Sequence, residues 1–235
     1  MMEIDDERIA YAIAKTEVLR FPKQTLATFG ITNIYYYLVT EPSYQELVGE
    51  VRETVVREGR VIAERPRVVT PFYLLNLEGF SESAGSYLET IRQQYGPHAP
   101  GLFYTYKNER RELTIVSDDL AAVVNRLNAK IDKEGDPLSA LIKGVDELWD
   151  VSLLKFIYDF TEGSVRSNVQ DLGARGLLDI DSSGVPREAR YRVEELFNQV
   201  KRGEMEPSEL KRELDRWNLF REYEDRFLNL FRRWR

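Results

Sequence analysis

The 235-residue chain sets 33 Lys and Arg against 40 Asp and Glu, a formal net charge of −7 at pH 7, which argues against a generally basic nucleic-acid binder. Hydrophobic residues at 43% beside charged residues at 31% can bury a core, unlike the composition of disordered chains. With no cysteine there is no disulfide framework, no thiolate zinc site and no cysteine nucleophile.

No run approaches the ~18 consecutive apolar residues of a membrane span. The start, Met1-Met2-Glu3-Ile4-Asp5-Asp6, is acidic where a signal peptide is basic and then apolar. The expectation is a soluble cytoplasmic protein.

The first half reads as strands. Ile31 to Val39 is rich in β-branched and aromatic residues and is closed by Thr40-Glu41-Pro42. Thr54-Val55-Val56 and Val61-Ile62-Ala63 flank Arg57-Glu58-Gly59-Arg60, which reads as a hairpin turn with Gly59 at positive φ. Arg67 to Pro71, after Pro66, reads as a short edge segment. Leu102 to Tyr106 and Glu112 to Val116 bracket the polar link Lys107 to Arg111 as a further hairpin. Two helices accompany these strands. Ala84, Leu88, Ile91 and Tyr95 share one face before Gly96-Pro97, and Leu120, Val123, Val124, Leu127 and Ile131 share another after a Ser117 N-cap.

Lys133-Glu134-Gly135-Asp136-Pro137 marks a boundary, beyond which the pattern is helical. Pro137 to Lys143 reads as a short helix. Trp149, Leu153, Phe156, Ile157 and Phe160 form a stripe ending at Gly163, and a new helix starts at Ser164 with Val165, Val169 and Leu172 inward. Pro186 opens another helix, with Ala189, Val193, Leu196, Phe197 and Val200 on one side. From Glu209 onward, apolar residues follow three- and four-residue steps in one long helix. The fold class is α+β: residues 1–133 form an antiparallel-rich sheet with packed helices, and residues 134–235 form an all-helical part with a long amphipathic C-terminal helix.

Ser164 to Leu178 resembles the recognition helix and wing entry of winged-helix DNA-binding proteins, with apolar residues at matching offsets before Arg175-Gly176-Leu177-Leu178. The resemblance covers 15 of the 235 residues. It implies a DNA-binding regulator with Arg166, Asn168 and Arg175 on one exposed face.

No phosphate-loop, dinucleotide, nucleophile-elbow or zincin motif occurs. With one histidine and no cysteine, no His-rich or thiolate metal site is expected, and no cofactor is indicated. The catalytic candidates are Asp118 and Asp119, at a strand end where metal-binding carboxylates occur, with Glu41 and His98. Helix N-terminal charge explains the aspartates without a metal, and His98 reads most simply as a solvated loop residue. Glu78 and Glu82 are further carboxylates without support. Tyr35 and Tyr37 share a strand face and Tyr104 and Tyr106 are spaced by two, a pattern that fits a ligand-stacking platform edged by Arg110 and Arg111 as well as ordinary sheet packing, and the negative net charge favours packing. At the C-terminus Trp217, Phe220, Phe227, Phe231 and Trp234 make a face wider than one packed stripe needs.

The leading expectation is a binding or assembly protein, a homo-oligomer joined through its last helix. The alternatives are a phosphate-handling enzyme using a carboxylate and arginine site, and the winged-helix-like regulator.

Overall fold

The computed structural model describes residues 2–44, 52–76, 89 and 92–232. In chain order the elements are α1 (Met2–Lys15), β1 (Glu17–Arg20), β2 (Thr32–Thr40), β3 (Thr54–Ala63), β4 (Arg67–Val69), α2 (Pro71–Leu75), β5 (Gly101–Phe103), β6 (Tyr106–Val116), α3 (Leu120–Glu134), β7 (Ser139–Lys143), α4 (Trp149–Ala174), α5 (Arg187–Arg202), α6 (Pro207–Arg216) and α7 (Phe220–Arg232). This is an α+β fold. Among the described residues no helix is long and apolar enough to cross a membrane.

The chain divides into two compact units: residues 1–65 with 104–168, and residues 66–103 with 169–235. The first holds a five-stranded sheet in the order β1-β7-β2-β3-β6, antiparallel throughout except for the parallel β2–β7 pair. β2 is apolar along most of its length because both of its faces are covered. Ile34, Tyr36 and Leu38 pack with Leu153, Phe156, Ile157 and Phe160 of α4. Tyr37 and Val39, on the opposite face, pack with Val123, Leu127 and Ile131 of α3.

The second unit packs α5, α6 and α7 with β4 and α2 around one core. Ala189, Val193, Leu196, Phe197 and Val200 are buried there, as their spacing predicts. β4 pairs with β5 in a two-stranded ribbon.

Several elements differ from the sequence reading. Residues 54–63 form one strand and not a hairpin, because the Tyr36 ring on the neighbouring strand lies over Gly59, its register partner. Gly59 serves close approach, not a turn. Residues 106–116 are likewise one strand, paired with β3 along its length. Residues 139–143 are a strand and not a helix: Ala140, Leu141 and Ile142 are fully buried between β1 and β2. That strand returns the chain to the sheet beyond the expected boundary at 133, and the units are discontinuous in sequence.

Gly163 does not end a helix. α4 runs through it, and Ser164, instead of capping, donates its hydroxyl to the Phe160 carbonyl at 2.8 Å. The long last helix is broken at Trp217-Asn218-Leu219, where Asn218 takes φ +55. Leu219 N–H bonds to the Leu214 carbonyl and Asn218 N–H to that of Asp215, which closes the end of α6. The N-cap of α3 is Asp119, not Ser117, and Pro186 is the cap of α5 rather than its first residue. Ala84, Leu88 and Ile91 lie outside the described residues; residues 92–95 are helical and Gly96 follows at φ +88.

Candidate binding surfaces

Of the carboxylate candidates, Asp118 and Asp119 are occupied in holding structure. Asp118 accepts from Arg126 Nη1 at 2.7 Å and from the Asp119 N–H at 2.9 Å, and these bonds, Arg126 first, lower its pKa. Asp119 accepts from the Ala122 N–H at 2.8 Å as the cap of α3. Glu41 is exposed just past β2. His98 belongs to the other unit, where its imidazole lies against Gly184, at φ +80, and 6.2 Å from the Phe72 ring. Among the described residues no three His, Asp or Glu side chains are grouped as they would be around a metal. Glu78 and Glu82 lie outside the described residues.

The four tyrosines do not make one platform. Tyr37 packs on the α3 face of the sheet, with Lys130 Nζ 4.7 Å from its ring, and Tyr35 shares that strand face, with the Arg111 guanidinium 5.0 Å from its ring. Tyr104 and Tyr106 pack on the α4 face, their rings stacked at 6.4 Å. The Tyr104 hydroxyl donates to Asn168 Oδ1 at 2.8 Å, and that of Tyr106 bonds with Thr161. Burial, with Tyr106 adding to it, pushes the Tyr104 pKa up to about 12. Arg110 lies over Trp149 at 5.8 Å, so successive residues Arg110 and Arg111 serve opposite faces.

Beside Trp149, Asp146, which with Glu147 and Asp150 reads from sequence as part of a solvated helix face, joins a polar cluster with Arg57 and Thr40. Arg57 donates to Asp146 at 2.8 Å and to the Thr40 hydroxyl at 2.9 Å, while Thr40 donates to Asp146 at 2.7 Å. The Arg57 guanidinium also lies 5.6 Å from the Trp149 ring. Reading residues 57–60 as a turn hid this arginine, which is a strand residue facing α4.

The recognition-helix reading of Ser164 to Leu178 meets a specific obstacle. Asn168 is 0% exposed, donating to the Leu26 carbonyl at 2.8 Å and to Thr28 at 2.9 Å. Ser164 is also buried and accepts from the Leu26 N–H. Arg166 and Arg175 are exposed, but the residue meant to read a base between them is spent inside the fold. Past the helix, Ile180 and Pro186 make a single antiparallel bridge and no wing strand.

In the helical unit, Trp217 and Phe227 are core residues, with the Trp217 ring 4.5 Å from that of Tyr73. Phe220 packs partly buried against them. Phe231 and Leu228 remain 48% exposed, and Trp234 lies outside the described residues. Beside Phe231 a cleft of about 800 Å³ is floored by Val200, Met205, Pro207 and Leu230, with Lys201 and Glu206 in its lining. Arg226, also lining it, is held by Glu194 through two bonds of 2.5 and 2.6 Å.

The first unit exposes a strand edge. β6 ends the sheet, and among the described residues no strand pairs with its outer side. Of its 11 residues none is buried; Leu113 and Ile115 point to the same face and are 59% and 53% exposed. Lys107, Arg110 and Arg111 guard the first half of this edge in the manner of many natural edge strands, whereas Leu113-Thr114-Ile115-Val116 carries no charge.

No family model, no curated protein and no solved structure matches the chain.

Proposed function

We propose that the chain is an assembly protein whose copies join through the outer edge of β6. The observation that carries this reading is the uncharged end of that edge, where Leu113 and Ile115 are more than half exposed on a side with which no described strand pairs. An open edge is a template for another strand, and a second copy is the partner that symmetry makes most economical.

A two-fold axis normal to the sheet pairs only residues that point to the same face. With Thr114 on the axis, Leu113 of each copy faces Ile115 of the other, and Glu112 faces Val116. Cross-strand apolar pairs of this kind contribute about 0.2–1 kcal/mol each. The charged stretch from Lys107 to Arg111 falls outside the overlap, so no like charges are opposed.

The cysteine-free chain allows a direct test. Residues opposed across an antiparallel pair have Cα atoms about 4.5–5.5 Å apart, within the range a disulfide spans. Thr114→Cys should therefore give a covalent dimer on mild oxidation, while Lys107→Cys should not. In sedimentation velocity the native chain should run as a dimer and Ile115→Lys as a monomer with unchanged circular dichroism. A native chain that is monomeric at high micromolar concentration, or equal cross-linking of both cysteine variants, would overturn the proposal.

A second reading keeps assembly but joins copies through α7, and it rests on the exposure of Leu228 and Phe231. Phe231→Lys in the same sedimentation experiment separates the two, since only this reading expects that variant to dissociate.

A further inference from the structure

Four arginines from three elements line a pocket of about 210 Å³ in the helical unit. Arg67 comes from β4, Arg192 from α5, and Arg212 and Arg216 from α6, where they are one turn apart on the same face. The carboxylates in this lining are Glu209, which is exposed, and Glu213, which is buried. Glu213 is already engaged, accepting from the Tyr73 hydroxyl at 3.0 Å and from Arg216 Nη1 at 3.4 Å. Nearby Glu188 is engaged too, accepting from the Val68 N–H at 3.1 Å.

Two of the arginines are left with capacity to spare. Arg212 makes no ion pair or hydrogen bond among the described residues. Among the described residues Arg67 Nε is buried without a hydrogen-bond partner, while its guanidinium lies 5.0 Å from the Phe103 ring. Buried donors are nearly always satisfied, so this one is available to an acceptor from outside the chain, a water or an anion. In a protein of net charge −7, four guanidinium groups gathered around two carboxylates form a local excess of positive charge that supplies an attraction for an anion.

We propose that this pocket binds a phosphoryl group, either as free phosphate or as the terminal group of a small molecule. The pocket is smaller than the roughly 300–1,000 Å³ of a site for a drug-sized ligand, which suits a compact anion. Leu196 and Met205 supply apolar wall, and the polar lining is the four arginines with Glu209 and Glu213 among them. Guanidinium groups approaching from a strand and two helices suit an anion that accepts in several directions, as tetrahedral phosphate does and a planar carboxylate does not. The inference is independent of strand pairing at β6, which involves the other unit.

Isothermal titration of the full-length protein with inorganic phosphate, and separately with glycerol phosphate, tests it. One saturable site is expected for at least one of them, tighter for the ester if the attached organic group is also recognised. Arg212→Gln, at an exposed position, should keep the fold and weaken binding by about tenfold, equivalent to roughly 1.4 kcal/mol. Arg67→Met should weaken it at least as much, with circular dichroism checking that it folds, and added sodium chloride should weaken binding by the native chain. Absence of saturable binding of both phosphates at millimolar concentration would overturn the proposal. So would binding indifferent to Arg212→Gln, or a site that takes citrate in preference to either phosphate.

Discussion

Gly59 shows how one residue can carry an architectural demand that its neighbours conceal. It lies under the ring of Tyr36, whose hydroxyl donates to Asn108 at 3.0 Å on the far side of the same strand. A Cβ there would come within 2.7 Å of the Tyr36 Cε1 and nearer still to the Cζ and hydroxyl. Tyr36 is almost wholly buried, so the ring has little room to move aside. Gly59→Ala should therefore destabilise the protein by about 1–3 kcal/mol, the usual cost of overpacking. The measurement is the midpoint of urea unfolding, which should fall at constant slope; an unchanged midpoint would mean that the ring yields freely. Asn168 carries a comparable demand, since it ties α4 to the loop at Leu26 and Thr28 and receives the Tyr104 hydroxyl.

Among the elements, α4 and the α6–α7 pair invert the usual reading of helix punctuation. α4 passes through Gly163, which is exposed and has nothing within 4 Å of where a Cβ would stand. Glycine inside a helix costs about 0.5–1 kcal/mol relative to alanine. Gly163→Ala should accordingly raise stability by that amount, read as a higher midpoint in urea. A loss of stability would mean that the helix bends or breaks at this position. The break between α6 and α7 falls instead at Asn218, whose left-handed φ costs asparagine less than most residues. It turns Leu219 into the core beside Trp217 and sets α7 as a separate helix. The broad aromatic stripe of the last third is thus shared between two helices, and much of it is consumed in packing, which leaves Leu228 and Phe231 outside.

The whole molecule should respond to alkali through its tyrosines. Burial is the main reason that the pKa values of Tyr36, Tyr37, Tyr73 and Tyr106 are raised, and that of Tyr104 is pushed up to about 12. An unfolded chain ionises tyrosine near pH 10. Above that pH the unfolded state has released protons that the folded state still holds, so stability must fall as pH rises from about 10 towards 12. Urea midpoints should decline over this range, with the phenolate absorbance of the folded protein lagging that of free tyrosine. Tyrosines that all titrate near pH 10 without loss of stability would contradict the burial. The effect spans both units, because Tyr73 belongs to the helical one and the others to the sheet. Since the chain passes between the units three times, a cut at residue 133 would not release a domain: it would strip β7 from the sheet and remove Val69 and Tyr73 from the helical core.

Local pattern alone determined the α+β class, the central strand after Ile31, the helix from Leu120 and the inward face of α5, because in each a side-chain period coincides with the burial that rewards it. It also marked Leu102-Phe103 and Arg67 to Val69 as extended, without revealing that they pair with each other. Tertiary structure decided the rest. Whether Gly59 turns or lies flat depended on a ring from another strand. Whether residues 139–143 coil or extend depended on a slot between β1 and β2. The candidate surfaces were least legible of all. Asp118, Asp119 and the paired tyrosines looked available because sequence does not show Arg126, the start of α3 or the two covered faces of the sheet. Arg67, Arg192, Arg212 and Arg216 looked unrelated because 148 residues lie between the first and the last, and only folding places four like charges around one pocket.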